Sequence, residues 1–98
     1  MPKYQVTLIM PNSTATIECP DRDYILDIAE DSGIDLPYSC RVGGCYKCIG
    51  RIKDGSVNQQ DQTILENKHL ADNWVLTCAA YPKSNCTIIT HQEDEFLN

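Results

Sequence analysis

Four cysteines of this chain, Cys40, Cys45, Cys48 and Cys78, have the type and spacing to hold metal. Three form a C-x4-C-x2-C run, and the fourth follows after 29 residues. This is a spacing that supplies four thiolates to a 2Fe–2S cluster. Each iron favours tetrahedral sulfur coordination, met by two bridging sulfides and two cysteines. One tight loop can give three of the ligands, and the fold must bring up the fourth. The chemistry of such a centre is one-electron transfer. Iron binds the thiolate and not the thiol, so the loop has to favour negative charge. Backbone N–H groups aimed at sulfur do this, and Gly43 and Gly44 let the backbone come close. Arg41 puts a fixed positive charge beside the first ligand, and the apolar Trp74-Val75-Leu76 is expected to hold Cys78 in the core.

Two other uses of cysteine compete with this reading. A four-thiolate zinc site usually has two C-x2-C pairs or adds histidines; here the fourth cysteine stands alone and the x4 spacing is unusual. Six cysteines in 98 residues could be a secreted disulfide scaffold. Three of them are crowded within nine positions, which suits a metal better than separate bridges. Cys19 and Cys86 lie in strand-like apolar segments and read as buried, inert thiols.

The elements that must position the cysteines follow from hydrophobic pattern. Residues 3–10 (KYQVTLIM) alternate, Pro11-Asn12-Ser13 is turn chemistry, and residues 14–19 (TATIEC) alternate again, so the chain opens on a β-hairpin. Residues 24–32 are helical in pattern, with Ile25, Ile28 and Ala29 on one face, Asp21 and Asp23 as candidate caps and Gly33 as the stop. Beyond the cysteine loop and Gly50, residues 49–53 read as a short strand and Asp54-Gly55 as a turn. The polar run 58–62 reads as loop, residues 64–71 as a short helix, and residues 74–76 and 87–90 as strands separated by a Tyr81-Pro82 turn. The order ββαβ, short α, ββ predicts an α+β domain, a mixed sheet packed on one main helix, with residues 1–98 forming a single domain.

Composition narrows the function classes. The net charge is −6, from 14 acids and 8 bases, which disfavours nucleic acid and favours partners with basic surfaces. Glu18, Asp21, Asp23, Asp27, Glu30, Asp31 and Asp35 face one base, Arg22, within eighteen residues, and Glu93, Asp94 and Glu95 form a second acidic patch. An acidic face of this kind steers docking of a small electron carrier. No apolar run is long enough to span a membrane, and Met1-Pro2-Lys3-Tyr4 has neither the apolar core of a secretory signal nor the character of a transit peptide. No nucleophile–base pair stands out, so the chain reads as a carrier and not an enzyme. His69 and His91 lack a second ligand set and read as surface or cap residues.

Beyond spacing, the chain resembles the plant-type 2Fe–2S ferredoxins of cyanobacteria and chloroplasts over almost its whole length. The stretches that carry the likeness are Ile17-Glu18-Cys19-Pro20, Tyr24-Ile25-Leu26-Asp27, Leu36-Pro37-Tyr38-Ser39-Cys40-Arg41, Trp74-Val75-Leu76-Thr77-Cys78, Ala80-Tyr81-Pro82 and Thr90-His91-Gln92-Glu93. The resemblance implies a β-grasp fold and one cluster near the surface, with Cys40 and Cys45 on one iron and Cys48 and Cys78 on the other. It implies a monomeric one-electron carrier of low potential, about −400 mV for the class. It implies photosystem I and ferredoxin–NADP reductase as partners, Glu93 at the reductase contact, and a cyanobacterial cytoplasm or chloroplast stroma as location.

The chain departs from that pattern inside the ligand loop. The family usually has small residues where Val42, Gly44, Tyr46 and Lys47 stand. Gly44 removes a possible hydrogen bond to sulfur, while Lys47 adds positive charge, so the two act in opposite directions on the potential. Ile64 takes the place of a common aromatic, and Asn67 and Lys68 the place of acids, which implies weaker docking to the usual reductase or a different partner, and a specialised ferredoxin. Tyr38, Tyr46 and Tyr81 either shield the cluster or, for Tyr38 and Tyr81, pack in the core.

Overall fold

A computed structural model describes residues 2–36 and 46–97. The chain opens on the hairpin that alternation predicts: β1 (Lys3–Ile9) pairs antiparallel with β2 (Thr14–Pro20), with Val6 opposite Ile17 and Tyr4 opposite Cys19. Val6, Leu8, Ile17 and Cys19 share the buried face, while Lys3, Gln5, Thr16 and Glu18 are exposed.

Helix α1 (Ile25–Asp31) buries Ile25, Leu26 and Ala29 in the same core. Neither aspartate caps it. Tyr24 holds the N-cap position in an extended conformation and makes no side-chain cap bond. The first helical N–H, of Ile25, donates instead to the carbonyl of Ala80 at 3.0 Å. A tertiary contact from just beyond Cys78 thus replaces the local cap. The C-terminus does follow expectation. Gly33 has φ +81°, its N–H reaches Glu30 O, and Ile34 N–H reaches Ala29 O, each at 2.9 Å, the two bonds of a Schellman motif.

The rest of the chain runs β3 (Ile49–Asp54), β4 (Val57–Asn58), α2 (Asn67–Ala71), β5 (Trp74–Leu76), a 3-10 turn (Thr77–Ala79), β6 (Tyr81–Pro82), β7 (Cys86–Ile89) and α3 (Glu93–Leu97). Five strands form one sheet in the order β2-β1-β7-β3-β5. The pairing of β1 with β7 is parallel and the others are antiparallel. This is the α+β, β-grasp arrangement expected from the sequence. Among the described residues, no helix is long and apolar enough to cross a membrane.

Three local expectations change. Tyr81-Pro82 is not a turn but a two-residue strand, paired with β4 through Val57–Pro82 and Asn58–Tyr81. The helix expected from residue 64 begins only at Asn67. Gln62 Oε1 accepts the N–H groups of Ile64 at 2.9 Å and Leu65 at 2.6 Å, which keeps both out of the helix. And α3 was not anticipated, although Phe96 and Leu97 interrupt the acidic tail with apolar side chains.

The polar run 58–62 also does more than connect. Strand β5 lies at the sheet edge, where backbone groups need partners. Gln59 supplies them: its Nε2 donates to Trp74 O at 3.0 Å and its Oε1 accepts from Leu76 N at 2.9 Å. One amide side chain stands in for a sixth strand. Gln59→Leu leaves both backbone groups beneath a side chain that cannot bond them, at about 1–3 kcal/mol per group. Thermal unfolding will show a lower Tm for Gln59→Leu, and little change, within about 0.5 kcal/mol, for the exposed neighbour Gln60→Ala.

Candidate metal centre

Two of the four candidate ligands, Cys48 and Cys78, lie in the described residues; Cys40 and Cys45 lie outside them, as do Tyr38, Arg41, Val42, Gly43 and Gly44. Cys48 directly precedes β3, and Cys78 sits in the 3-10 turn that follows β5. Because β3 and β5 pair antiparallel, with Ile49 opposite Leu76, the start of one strand and the exit of the other fall side by side. The two sulfurs are 3.2 Å apart, and Cys48 is 4% and Cys78 2% exposed.

A second bond locks this pairing. The buried Thr77 hydroxyl donates to the carbonyl of Cys48 at 3.0 Å, tying the turn that carries Cys78 to the residue just before β3. Trp74, Val75 and Leu76 are all buried, as expected of the segment leading into Cys78.

The thiol chemistry of the two sulfurs differs from that of the other cysteines. Cys48 is drawn down to about 7, chiefly by its hydrogen bond with Cys78 and against the effect of burial. Burial, helped by the nearby Asp23 carboxylate, pushes Cys19 up to about 12, and burial alone pushes Cys86 up to about 11. Cys19 and Cys86 are 0% and 4% exposed, and the Cys19 thiol points at the carbonyls of Pro20 and Asp23. They are the inert side chains read from the sequence. None of the four described cysteines forms a disulfide, and among the described residues no group of three or more histidines, cysteines and carboxylates is placed to hold an ion.

The Cys48–Cys78 pair passes a simple test of fit. A disulfide needs about 2.05 Å between sulfurs. Two thiolates on one tetrahedral ion, with metal–sulfur bonds of about 2.3 Å, stand roughly 3.8 Å apart. The observed 3.2 Å is far from the first value and needs only a small spreading to reach the second.

An aromatic group joins α3 to Tyr46, α2 and β5. Phe96 of α3 sits 4.7 Å from Tyr46, 5.0 Å from His69 and 5.1 Å from Trp74, the last two edge-on. Tyr46 therefore packs on the C-terminal helix. The Arg51 guanidinium lies 4.8 Å over the Trp74 ring and bonds Asp72 at 2.7 Å. His69 serves as a cap, its Nδ1 accepting from Glu66 N at 3.0 Å, and His91 Nδ1 lies 2.7 Å from the Thr90 hydroxyl. Tyr81 stacks on Tyr24 at 4.6 Å, and both phenols donate to Asp61 Oδ2, at 2.8 and 2.7 Å. The Tyr24 and Tyr81 hydroxyls hold the Asp61 carboxyl below the usual carboxylate range. Bonding to Tyr81, then to Asp61, pushes the Tyr24 phenol above its ordinary value.

The acids read from the sequence fall largely on the surface. Glu18, Asp21, Asp27, Asp31, Asp35, Asp94 and Glu95 are exposed, while Asp23, Glu30 and Glu93 are partly buried. Ile64 is half-buried against the core, and Asn67 and Lys68 are exposed on α2. Sequence reasoning missed the contacts of Thr77 with the Cys48 carbonyl, of Phe96 with Tyr46 and of Asp61 with Tyr24 and Tyr81. Only Phe96 carried a signal, as an aromatic residue inside an acidic tail.

The fold is a β-grasp sheet that brings two buried sulfurs side by side, one of them at the end of a cysteine-dense stretch of sequence. The chain belongs to the 2Fe-2S iron-sulfur cluster binding domain family, whose model matches residues 9–83. It is 45% identical to the heterocyst ferredoxin of a Nostoc species over 95 residues, covering 95% of this chain and 96% of that one. It is 42% identical over 93 residues to the chloroplastic ferredoxin-6 of Zea mays, covering 94% of this chain and 60% of the maize protein. Among solved structures it is similar to pectocin M2, at 45% identity and a TM-score of 0.90, over 96% of this chain and 34% of that one. The chain thus spans about a third of the pectocin. Its cofactor is one 2Fe–2S cluster, so the zinc and disulfide alternatives fall away, and its activity is electron carriage and not catalysis.

Proposed function

We propose that residues 1–98 form a single ferredoxin-type domain whose cluster is held by Cys40, Cys45, Cys48 and Cys78, with Cys40 and Cys45 on one iron and Cys48 and Cys78 on the other. The observation that carries this reading is the contact of the Cys48 and Cys78 sulfurs at 3.2 Å inside the core. The cluster supplies a one-electron couple at low potential. The protein's own residues supply the rest. Thr77 fixes the spacing of two ligands, and Trp74, Val75 and Leu76 keep water from that side. The exposed acids on β2 and around α1 steer the molecule toward basic redox proteins.

Photosystem I and ferredoxin–NADP reductase are the partners this reading favours, with the protein acting as a monomer in a cyanobacterial cytoplasm or chloroplast stroma. Tyr46, Lys47 and Ile64 point to a specialised carrier with an altered loop and docking face. The reading is tested by the visible spectrum and by EPR. A red-brown protein with sulfide-to-iron charge-transfer bands and a one-electron signal on reduction is expected; a colourless protein containing zinc overturns it. Electron transfer to ferredoxin–NADP reductase as fast as that of a major photosynthetic ferredoxin rejects the specialised role alone.

A further inference from the structure

Helix α3 is strapped to the residues that flank Cys48. The Phe96 ring packs on Tyr46, the Lys47 ammonium lies 3.5 Å from Glu93 Oε1, and Gln92 N–H donates to Ile49 O at 3.2 Å. Residues 46, 47 and 49 are thus each held by the C-terminal segment. Lys47, Glu93, His91 and Asp94 line a surface cavity of about 230 Å³. The lysine lies inside the C-x2-C run, next to Cys48, where a positive charge acts on whatever the sulfur binds.

We propose that Glu93 is the counter-charge of Lys47, so that the ion pair, and not the lysine alone, sets the field at this end of the ligand loop. This rests on the reading of Cys48 as a ligand. A cluster on four thiolates carries a net charge of minus two when oxidised and minus three when reduced. An unpaired lysine beside it favours the reduced form and raises the midpoint potential, and an unpaired carboxylate lowers it. Paired at 3.5 Å, the carboxylate offsets a substantial part of the lysine's effect, and more of it the farther a group lies from the pair. Lys47 therefore does not act as the isolated cation its sequence position suggests. Glu93 is a positioning and tuning residue, acting through Lys47. His91 and Asp94, the other ionisable groups lining the cavity, stay the same in every variant below.

The test is a redox titration of the holoprotein, followed by visible absorption, for the wild type, Glu93→Gln, Lys47→Gln and the double variant. Glu93→Gln is expected to raise the midpoint and Lys47→Gln to lower it. Each shift should change the reduced-to-oxidised ratio at fixed potential by about threefold to tenfold, or about 30–60 mV at 59 mV per tenfold. The double variant should return close to the wild-type value, and the single shifts should shrink as salt rises to about 1 M, because the pair is partly exposed. A merely structural role for Glu93 could lower Tm but does not move the two single variants in opposite directions. Wild-type spectra with unmoved midpoints, or shifts of the same sign, overturn this proposal alone. A wild-type protein without a 2Fe–2S spectrum overturns the ligand reading and this proposal with it.

Discussion

Cys78→Ala will yield a protein without stable visible charge-transfer bands, while Cys86→Ala will keep them. Both cysteines are buried, at 2% and 4% exposure, and both truncations remove one sulfur from the core, so loss of packing is similar. What differs is the partner. Cys78 meets Cys48 sulfur to sulfur, and Cys86 meets no thiol in the observed bonds. On the proposed ligand set, removing Cys78 takes away one of the cluster's four thiolates, and the buried neighbours Val75 and Leu76 have no side-chain donor to replace it. Losing an outer partner of a metal ligand already costs about 10–100-fold in affinity, and losing the ligand itself costs more. Iron and sulfide analysis after reconstitution gives the measurement. Cys86→Ala should match the wild type in cluster content and lose only modest thermal stability.

The second large effect concerns the turn between β3 and β4. Gly55 has φ +84°, and a Cβ there would meet Asn85 O and, at 2.6 and 2.7 Å, Cβ and Cα of Cys86. Gly55→Ala therefore combines a left-handed backbone with a collision against the backbone of the approach to β7, where little can yield. Gly33 offers the control. Its φ is +81°, yet nothing lies within 4 Å of an added Cβ. Gly33→Ala carries the backbone strain alone, about 1 kcal/mol, and Gly55→Ala adds the overpacking cost of about 1–3 kcal/mol. In a domain of this size each kcal/mol lowers Tm by about 4–8 °C. The melting temperatures should fall in the order wild type, Gly33→Ala, Gly55→Ala, with the same cluster spectrum wherever the protein is folded.

The contrast between what the sequence made legible and what it did not has a physical basis. The hairpin, α1 and the short strands follow from side chains that repeat with the period of the backbone, as Val6 and Leu8 or Ile25 and Ala29 do. Cys40, Cys45, Cys48 and Cys78 stand out because a thiolate cluster requires both that residue type and much of that spacing. Gln59, Gln62 and Thr77 follow neither rule. Each bonds a specific backbone group, two of them across 15 to 29 residues, and such a bond leaves no period behind. The missing aspartate cap of α1 has the same cause, since its donor is satisfied by Ala80 from the far side of Cys78. The role of Lys47 was half legible. Its charge could be read in the loop, but its partner lies 46 residues away on a helix that the acidic tail concealed.

The parallel contact between β1 and β7 also bears on how the protein is made. Val6 lies beside Cys86, so the centre of the sheet joins the two ends of the chain. Closing a loop of that length is an entropic barrier, and topologies dominated by such distant pairings fold slowly. During synthesis the hairpin of β1 and β2 can form early, but β1 keeps an open edge until residue 89 has left the ribosome. Cys40, Cys45, Cys48 and Cys78 precede β7 in sequence, and Cys86 opens it. For this interval the sheet that packs around Cys48 and Cys78 is not yet closed, because both β1 and β3 wait for β7.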